Sequence, residues 1–300
     1  LFAKGYHLDR KIGERMKPLK PLAWLIPPIF LLTLFAAAMG LFYETPGEPY
    51  PYANHRGETV TLNGHGLYFY DTLSSAAQMQ GNDLITLVVG LPLLAVSAWM
   101  AFRGSLRGRL LLTGTLGFIL YTYLSMATLA SFNALFTVYI ALFTLSMYAF
   151  ILSMMSFDLQ DLPNRFSEKL PRGWIAGLMF VVAGFFALAW LGRIFAALQE
   201  GAVPALENTT TMVIQFMDLG LIAPAAILGG ILILRRSAWG FLLTSIMMTK
   251  GVTLGLAVST MAINMSLKGV PDSLGIMVPF LVITAANLFL TVVMLKNVKE

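Results

Sequence analysis

Eight stretches of this chain are each long and apolar enough to cross a bilayer, and the basic residues between them fall almost entirely on one side. A spanning helix needs about 20 apolar residues. The stretches that meet this are 22–43, 83–102, 110–130, 134–156, 174–197, 213–234, 239–263 and 274–295. With 57% hydrophobic and 12% charged residues and a mean hydropathy of +0.75, the chain cannot hide its apolar surface by folding on itself in water. The expected fold class is all-α: a polytopic bundle of eight transmembrane helices, 22–300, behind a basic juxtamembrane segment, 1–21.

Lys and Arg set the orientation. If the N-terminus is cytoplasmic, Arg103, Arg107, Arg109, Arg165, Lys169, Arg172, Arg235, Arg236, Lys296 and Lys299 join the N-terminal cluster inside, while Arg56 and Lys268 fall outside. The expectation is a multi-pass protein of the plasma (inner) membrane with both termini cytoplasmic. Span 22–43 has the basic flank and the Ala36-Ala37-Ala38 run of a signal peptide, and it is read as an anchor. Phe2, Leu8, Ile12 and Met16 among basic residues suit either a short interfacial helix or an ordinary positive flank. The pI near 9.4 does not point to nucleic acid, because the basic residues flank spans and do not form a patch interleaved with aromatics. With no cysteine, thiolate chemistry and Cys-ligated zinc are excluded.

The loop 44–82 is the one sizeable soluble segment. Thr59–Leu62, a turn at Asn63-Gly64 and Leu67–Tyr70 read as a small extracytoplasmic β-hairpin. Asp71 and Asp83 with Glu44, Glu48 and Glu58 make this face acidic. That suits a cation-attracting vestibule, and equally the usual complement of a positive inner face. Tyr68 and Tyr70 beside Asp71 are the residues a lipid-headgroup enzyme could use. His55 and His65 lack a fixed ligand spacing, so no metal and no cofactor is assigned.

The halves 22–157 and 174–296 run in parallel. Pro92 and Pro224, like Arg103 and Arg235, are offset by 132; Thr113 and Thr244 by 131; Asp83 and Asp218 by 135. A parallel 4+4 repeat with small gaps fits these offsets. The two prolines would break paired helices, as happens around transporter sites, or mark kinks relieved by packing.

Lys250 lies near mid-bilayer, where a charge costs at least about 2.5–3.5 kcal/mol. Asp218 is its natural partner, about 9 Å away along the membrane normal at 1.5 Å per residue. Tyr121, Ser146, Thr249, Thr253, Thr284 and Asn287 fall at a similar depth and could line a polar cavity. The pair reads either as a structural clamp or as coupling charges of an ion or solute path. Arg193, near the end of its span, reads as an interface anchor. No His lies within a span, and no nucleophile elbow or P-loop is present.

The runs Arg56-Gly-Glu-Thr-Val60, Gly66-Leu-Tyr-Phe-Tyr-Asp71, Gly117-Phe-Ile-Leu-Tyr121 and Met217-Asp-Leu-Gly220 resemble those of prokaryotic polytopic inner-membrane proteins without assigned activity. That resemblance implies an inner-membrane protein and transfers no site residue. Three functions are therefore carried forward. The first is transporter- or channel-like passage of an ion or small solute. The second is a binding, sensor or accessory subunit that docks a membrane-protein partner through the outer loop. The third is a lipid-modifying enzyme.

Overall fold

The computed structural model describes residues 19–271 and 273–300, so the expected interfacial helix near the N-terminus lies outside the described residues. Eight helices are long and apolar enough to span a membrane: α1 Lys20–Phe42, α2 Leu73–Phe102, α3 Leu106–Leu129, α4 Phe136–Met154, α5 Arg172–Gln199, α6 Val213–Leu234, α7 Ala238–Leu267 and α8 Met277–Lys296. The protein is an integral membrane protein, and its outer surface of exposed Trp, Phe and Leu is what lipid covers. Helix starts follow local chemistry. The Thr72 hydroxyl caps α2 and the Ser105 hydroxyl caps α3. The Glu300 carboxylate accepts from the Leu106 amide, anchoring the chain's last residue at the positive end of α3.

The loop differs from expectation in two ways. First, β2 (Thr59–Leu62) is a strand, but it pairs antiparallel with β1 (Tyr50–Ala53), with Tyr50 opposite Leu62 and Ala53 opposite Thr59. Asn54 closes this hairpin: its Oδ1 accepts from the amides of Arg56 and Glu58, and its Nδ2 donates to Glu58. Residues 67–70 form turns instead of a strand, and the chain returns to β2 only at the Leu62–Thr72 bridge. Second, residues 73–82 are not loop. They are the first turns of α2, so Asp83 lies inside a helix and is buried.

The stretches α2–α3 and α6–α7 share local geometry at an offset of 132. A π-helical turn interrupts α2 at Thr86–Gly90 and α6 at Asp218–Ile222. In each, the residue before proline donates to the carbonyl five residues back: Leu91 to Thr86, Ala223 to Asp218. Proline removes an amide and crowds the preceding turn, and the wider turn accommodates it. Beyond each bend, Ser105 donates to the Met100 carbonyl and Ser237 to that of Leu232. Gly104 and Arg236 both take positive φ, +91° and +55°. Gly108 and Gly240 each press on the backbone of the preceding helix, where a Cβ would come within 2.5 Å of its nearest atoms. At this offset Asp218 matches Thr86, and Thr113 matches Ser245. Thr113 and Ser245 bond the carbonyls of Arg109 and Phe241, which are again matched.

Within the first half, α1 packs on α2 and α4, and α3 on α2 and α4; within the second, α5 packs on α6 and α8, and α7 on α6 and α8. The halves meet where α3 crosses α7. Gly114 lies against Thr249, and Gly117 against Ile246. At the offset of 132, Gly114 matches Ile246 and Gly117 matches Thr249, so each contact is the image of the other.

The likeness ends on the side that carries the hairpin, the hairpin side. The Leu73–Ile85 part of α2 lies along α7, with Gly81 against the Met261 backbone. Its counterpart in α6 begins only at Val213, eight residues late in the common register. The intervening 205–212 segment contains Asn208-Thr-Thr-Thr211, poor helix formers, after Pro204. About 12 Å of helix is thereby missing at 1.5 Å per residue, and a cavity takes its place.

Candidate functional site

That cavity holds about 310 Å³ and opens on the hairpin side. Its walls are Met79, Met126, Met212, Met261, Met265, Phe186 and Phe280, with polar groups from Gln78, Asn82, Thr122, Ser125 and Gln215. Apolar walls with a few placed polar groups are the ordinary build of a small-molecule site. Its deepest charged group is Asp218, at the first residue of the π turn in α6. Tyr121 Oη donates to Asp218 Oδ1 at 2.6 Å, and Trp190 Nε1 donates to Oδ2 at 3.0 Å. Three helices, α3, α5 and α6, therefore converge on one carboxylate.

Lys250 is buried directly behind this floor. Its Nζ stands 3.7 Å from the centroid of the Tyr121 ring and has no hydrogen-bond partner among the described residues. A desolvated cation on an aromatic face is held by about 2 kcal/mol or more. Lys250 and Asp218 form no ion pair. Tyr121 lies between them, its hydroxyl on the carboxylate and its ring under the ammonium. The direct pair expected from the sequence is therefore an indirect one, and the axial gap between the two residues is filled by this ring.

Of the six residues expected to line a cavity, Tyr121 does so. The other five are buried in helix seams. Ser146, Thr249 and Thr284 donate to the carbonyls of Leu142, Ser245 and Phe280, one turn back, and Thr253 to that of Lys250. Such back-bonding satisfies a hydroxyl without a cavity. Small partners explain the seams: Thr249 fills the space at Gly114, Thr284 that at Gly255, and Asn287 that at Gly251. Asn287 keeps an unpartnered buried Oδ1. Trp190 and Gln215 were not legible as site residues. A lone Trp or Gln in an apolar run gives no spacing signal, and only the convergence of helices reveals them.

At the cavity mouth, Glu207 holds the 205–212 segment to the first half. Its carbonyl accepts from Arg56 and from Asn54 (2.7 Å), and its carboxylate from Thr72. Its φ of +51° is a left-handed conformation rare for a residue with a side chain. Arg193 donates to the Ala205 carbonyl and lines the mouth. Asp71 is only 3% exposed. Its Oδ1 accepts from the Ser131 amide at 2.8 Å, and burial, outweighing that bond, pushes its carboxyl from 3.8 up to about 7. Asp83 accepts from Tyr68 at 2.6 Å, and Gly40 of α1 closes over the pair. Tyr68 is thus turned inward while Tyr70 is exposed, so they do not form one face with Asp71. His65 bonds the Asn63 carbonyl and His55 contacts Arg56; among the described residues no three His, Cys, Asp or Glu side chains gather.

Comparison with protein-family models, with curated proteins and with solved structures gives no match to this chain.

Proposed function

We propose that this protein carries a small solute or ion across the membrane, with the hairpin side extracytoplasmic and the termini cytoplasmic. The observation that supports this best is a cavity open on one side whose floor is a carboxylate set in a π turn, backed by an ammonium with no hydrogen-bond partner. Ionisable groups inside a membrane are costly, and they mark ion or substrate paths when they face a cavity. In this reading Asp218 meets the solute or a proton from the cavity. Tyr121 separates Asp218 from Lys250, and a shift of that ring lets Lys250 reach the carboxylate when the cavity closes. The π turns at Pro92 and Pro224 supply backbone that bends without losing its bonds to lipid.

The test is flux into liposomes of a panel of ions, protons and small solutes, with Asp218→Asn and Lys250→Met at matched folded protein. Flux in the wild type that both variants abolish supports the reading. Absence of flux, with Lys250→Met only lowering the melting temperature, overturns it. That result favours the second reading, a binding or sensor subunit, which one observation supports: Tyr121 seals Lys250 from the cavity, as a static clamp would.

A further inference from the structure

A second cavity of about 220 Å³ adjoins the first on the hairpin side and shares Ser75, Leu129, Glu207, Thr209 and Val213 with it. It is lined by two carboxylates, Asp71 and Glu207, and by the hydroxyl residues Thr72, Thr128 and Ser131. Thr72 links the carboxylates, following Asp71 in the chain and donating its hydroxyl to Glu207. Asp71 Oδ2 is buried without a partner. No Lys, Arg or His lines this cavity. The nearby Arg56 guanidinium is spent on Glu58 and on backbone carbonyls, including that of Glu207. Two acids thus line one cavity with no cationic side chain on its walls, and one of them has a buried oxygen without a hydrogen-bond partner among the described residues.

An all-oxygen set of two carboxylates, hydroxyls and nearby carbonyls is the donor chemistry of a hard cation. Calcium tolerates such irregular sets and completes them with water, whereas zinc sites are built mainly on nitrogen and sulfur ligands. We propose that this cavity is a divalent-cation site of the calcium type, with Asp71 Oδ2 and the Glu207 carboxylate as charged ligands and Thr72 as a neutral one. The ion would tie the first half to the 205–212 segment that forms the mouth of the larger cavity. This assignment does not rest on the transport reading.

The experiment is equilibrium dialysis of the full chain, in detergent and stripped of metals, against radioactive CaCl2, with thermal melting in parallel. The expected result is one saturable site with a Kd of about 0.1–1 mM, the range of extracellular calcium modules. Calcium should raise the melting temperature. Asp71→Asn and Glu207→Gln should each weaken binding about tenfold or more, in line with affinity tuned by ligand charge. Asp218→Asn, in the other cavity, should leave binding unchanged. No saturable binding to wild type up to about 10 mM, tenfold above that range, overturns the proposal, even if neither rim variant folds. So does binding that survives both rim variants, or is lost in Asp218→Asn. Displacement by NaCl but not by choline chloride at equal ionic strength would make the site monovalent and overturn the divalent assignment.

Discussion

The second helix of the first half and that of the second half bend through the same π turn, but they are filled differently. In the first, the turn starts at Thr86, and Phe118 of the next helix presses on Gly90. In the second, the matching positions hold Asp218 and Lys250, with Tyr121 wedged between them. The first half shows that the scaffold makes this bend with a hydroxyl and an aromatic ring alone. The charges of the second half are therefore not required by the bend, and they carry the cost of desolvation. The hairpin side differs in the same sense. Asp83 is closed off by Tyr68 and Gly40, whereas Asp218 with Tyr121 forms the floor of an open cavity. The same Tyr–carboxylate bond length, 2.6 Å, serves a sealed strut in one half and an accessible group in the other.

The largest expected effect follows from that contrast. Asp218→Asn abolishes flux, whereas Asp83→Asn leaves flux within about twofold and lowers stability by about 0.5–1.5 kcal/mol, the net worth of an ordinary hydrogen bond. Flux assays and melting curves on the same preparations decide this. Equal flux losses in the two variants would erase the distinction between the halves. Next is a conversion of the second bend into the first. Asp218→Thr and Lys250→Phe each remove one member of a buried charged set and should destabilise by about 3–5 kcal/mol. The double variant should recover much of that loss, giving a coupling of about 1–3 kcal/mol in a double-mutant cycle. Additive losses would mean that the two charges do not sense each other through Tyr121.

The sequence made the spans legible, because length and hydropathy alone decide them. It also marked the two similar bends through Pro92–Pro224 and Arg103–Arg235. Asp83 and Asp218 look equivalent in a string of letters. Only the π turns show that Thr86 is the match, since a bulge leaves no residue-type signature. Lys250 and Asp218 stood out because charge in an apolar run is conspicuous. Tyr121 was correctly placed near Lys250 by helical rise, but its role between the charges depends on side-chain direction. Thr249, Thr284 and Asn287 were misleading because a polar residue facing a glycine on the next helix has the same sequence appearance as one facing water. The hairpin was half legible: Thr59–Leu62 has the strand pattern, but the side-chain bonds of Asn54 select the upstream partner over the downstream one.

A third prediction concerns the seam between the halves. The Asp71 carboxyl, ordinarily at 3.8, sits at about 7 when folded, and Glu207 is the other titratable group lining its cavity. The folded chain therefore binds more protons than the unfolded chain between these values, and stability falls as pH rises from about 4 to 7. Asp71→Asn does not titrate. Its advantage over wild type should be small near pH 4 and grow to at most about 4 kcal/mol above pH 7. Added CaCl2 should shrink that advantage by stabilising the ionised wild type. Melting curves at pH 5 and pH 8, with and without CaCl2, read both effects. A pH-independent difference between the chains would mean that Asp71 is not desolvated as the structure has it.

The smallest effect is also the sharpest test of how the two tyrosines differ. Tyr68 is the one side chain bonded to Asp83 among the described residues, whereas Asp218 keeps Trp190 when Tyr121 loses its hydroxyl. Tyr68→Phe should therefore cost about 1–3 kcal/mol, the penalty for leaving a buried polar group without its partner. Tyr121→Phe should cost about 1 kcal/mol, because the second donor remains and the ring still faces Lys250. The functional readout runs the other way. Tyr68→Phe should leave the pH profile of flux in place, because its partner is sealed. Tyr121→Phe should move that profile, because it removes a donor from the carboxylate at the cavity floor. A larger stability loss in Tyr121→Phe than in Tyr68→Phe, with no movement of the profile, would make Tyr121 a strut like Tyr68 and the floor of the cavity a structural feature.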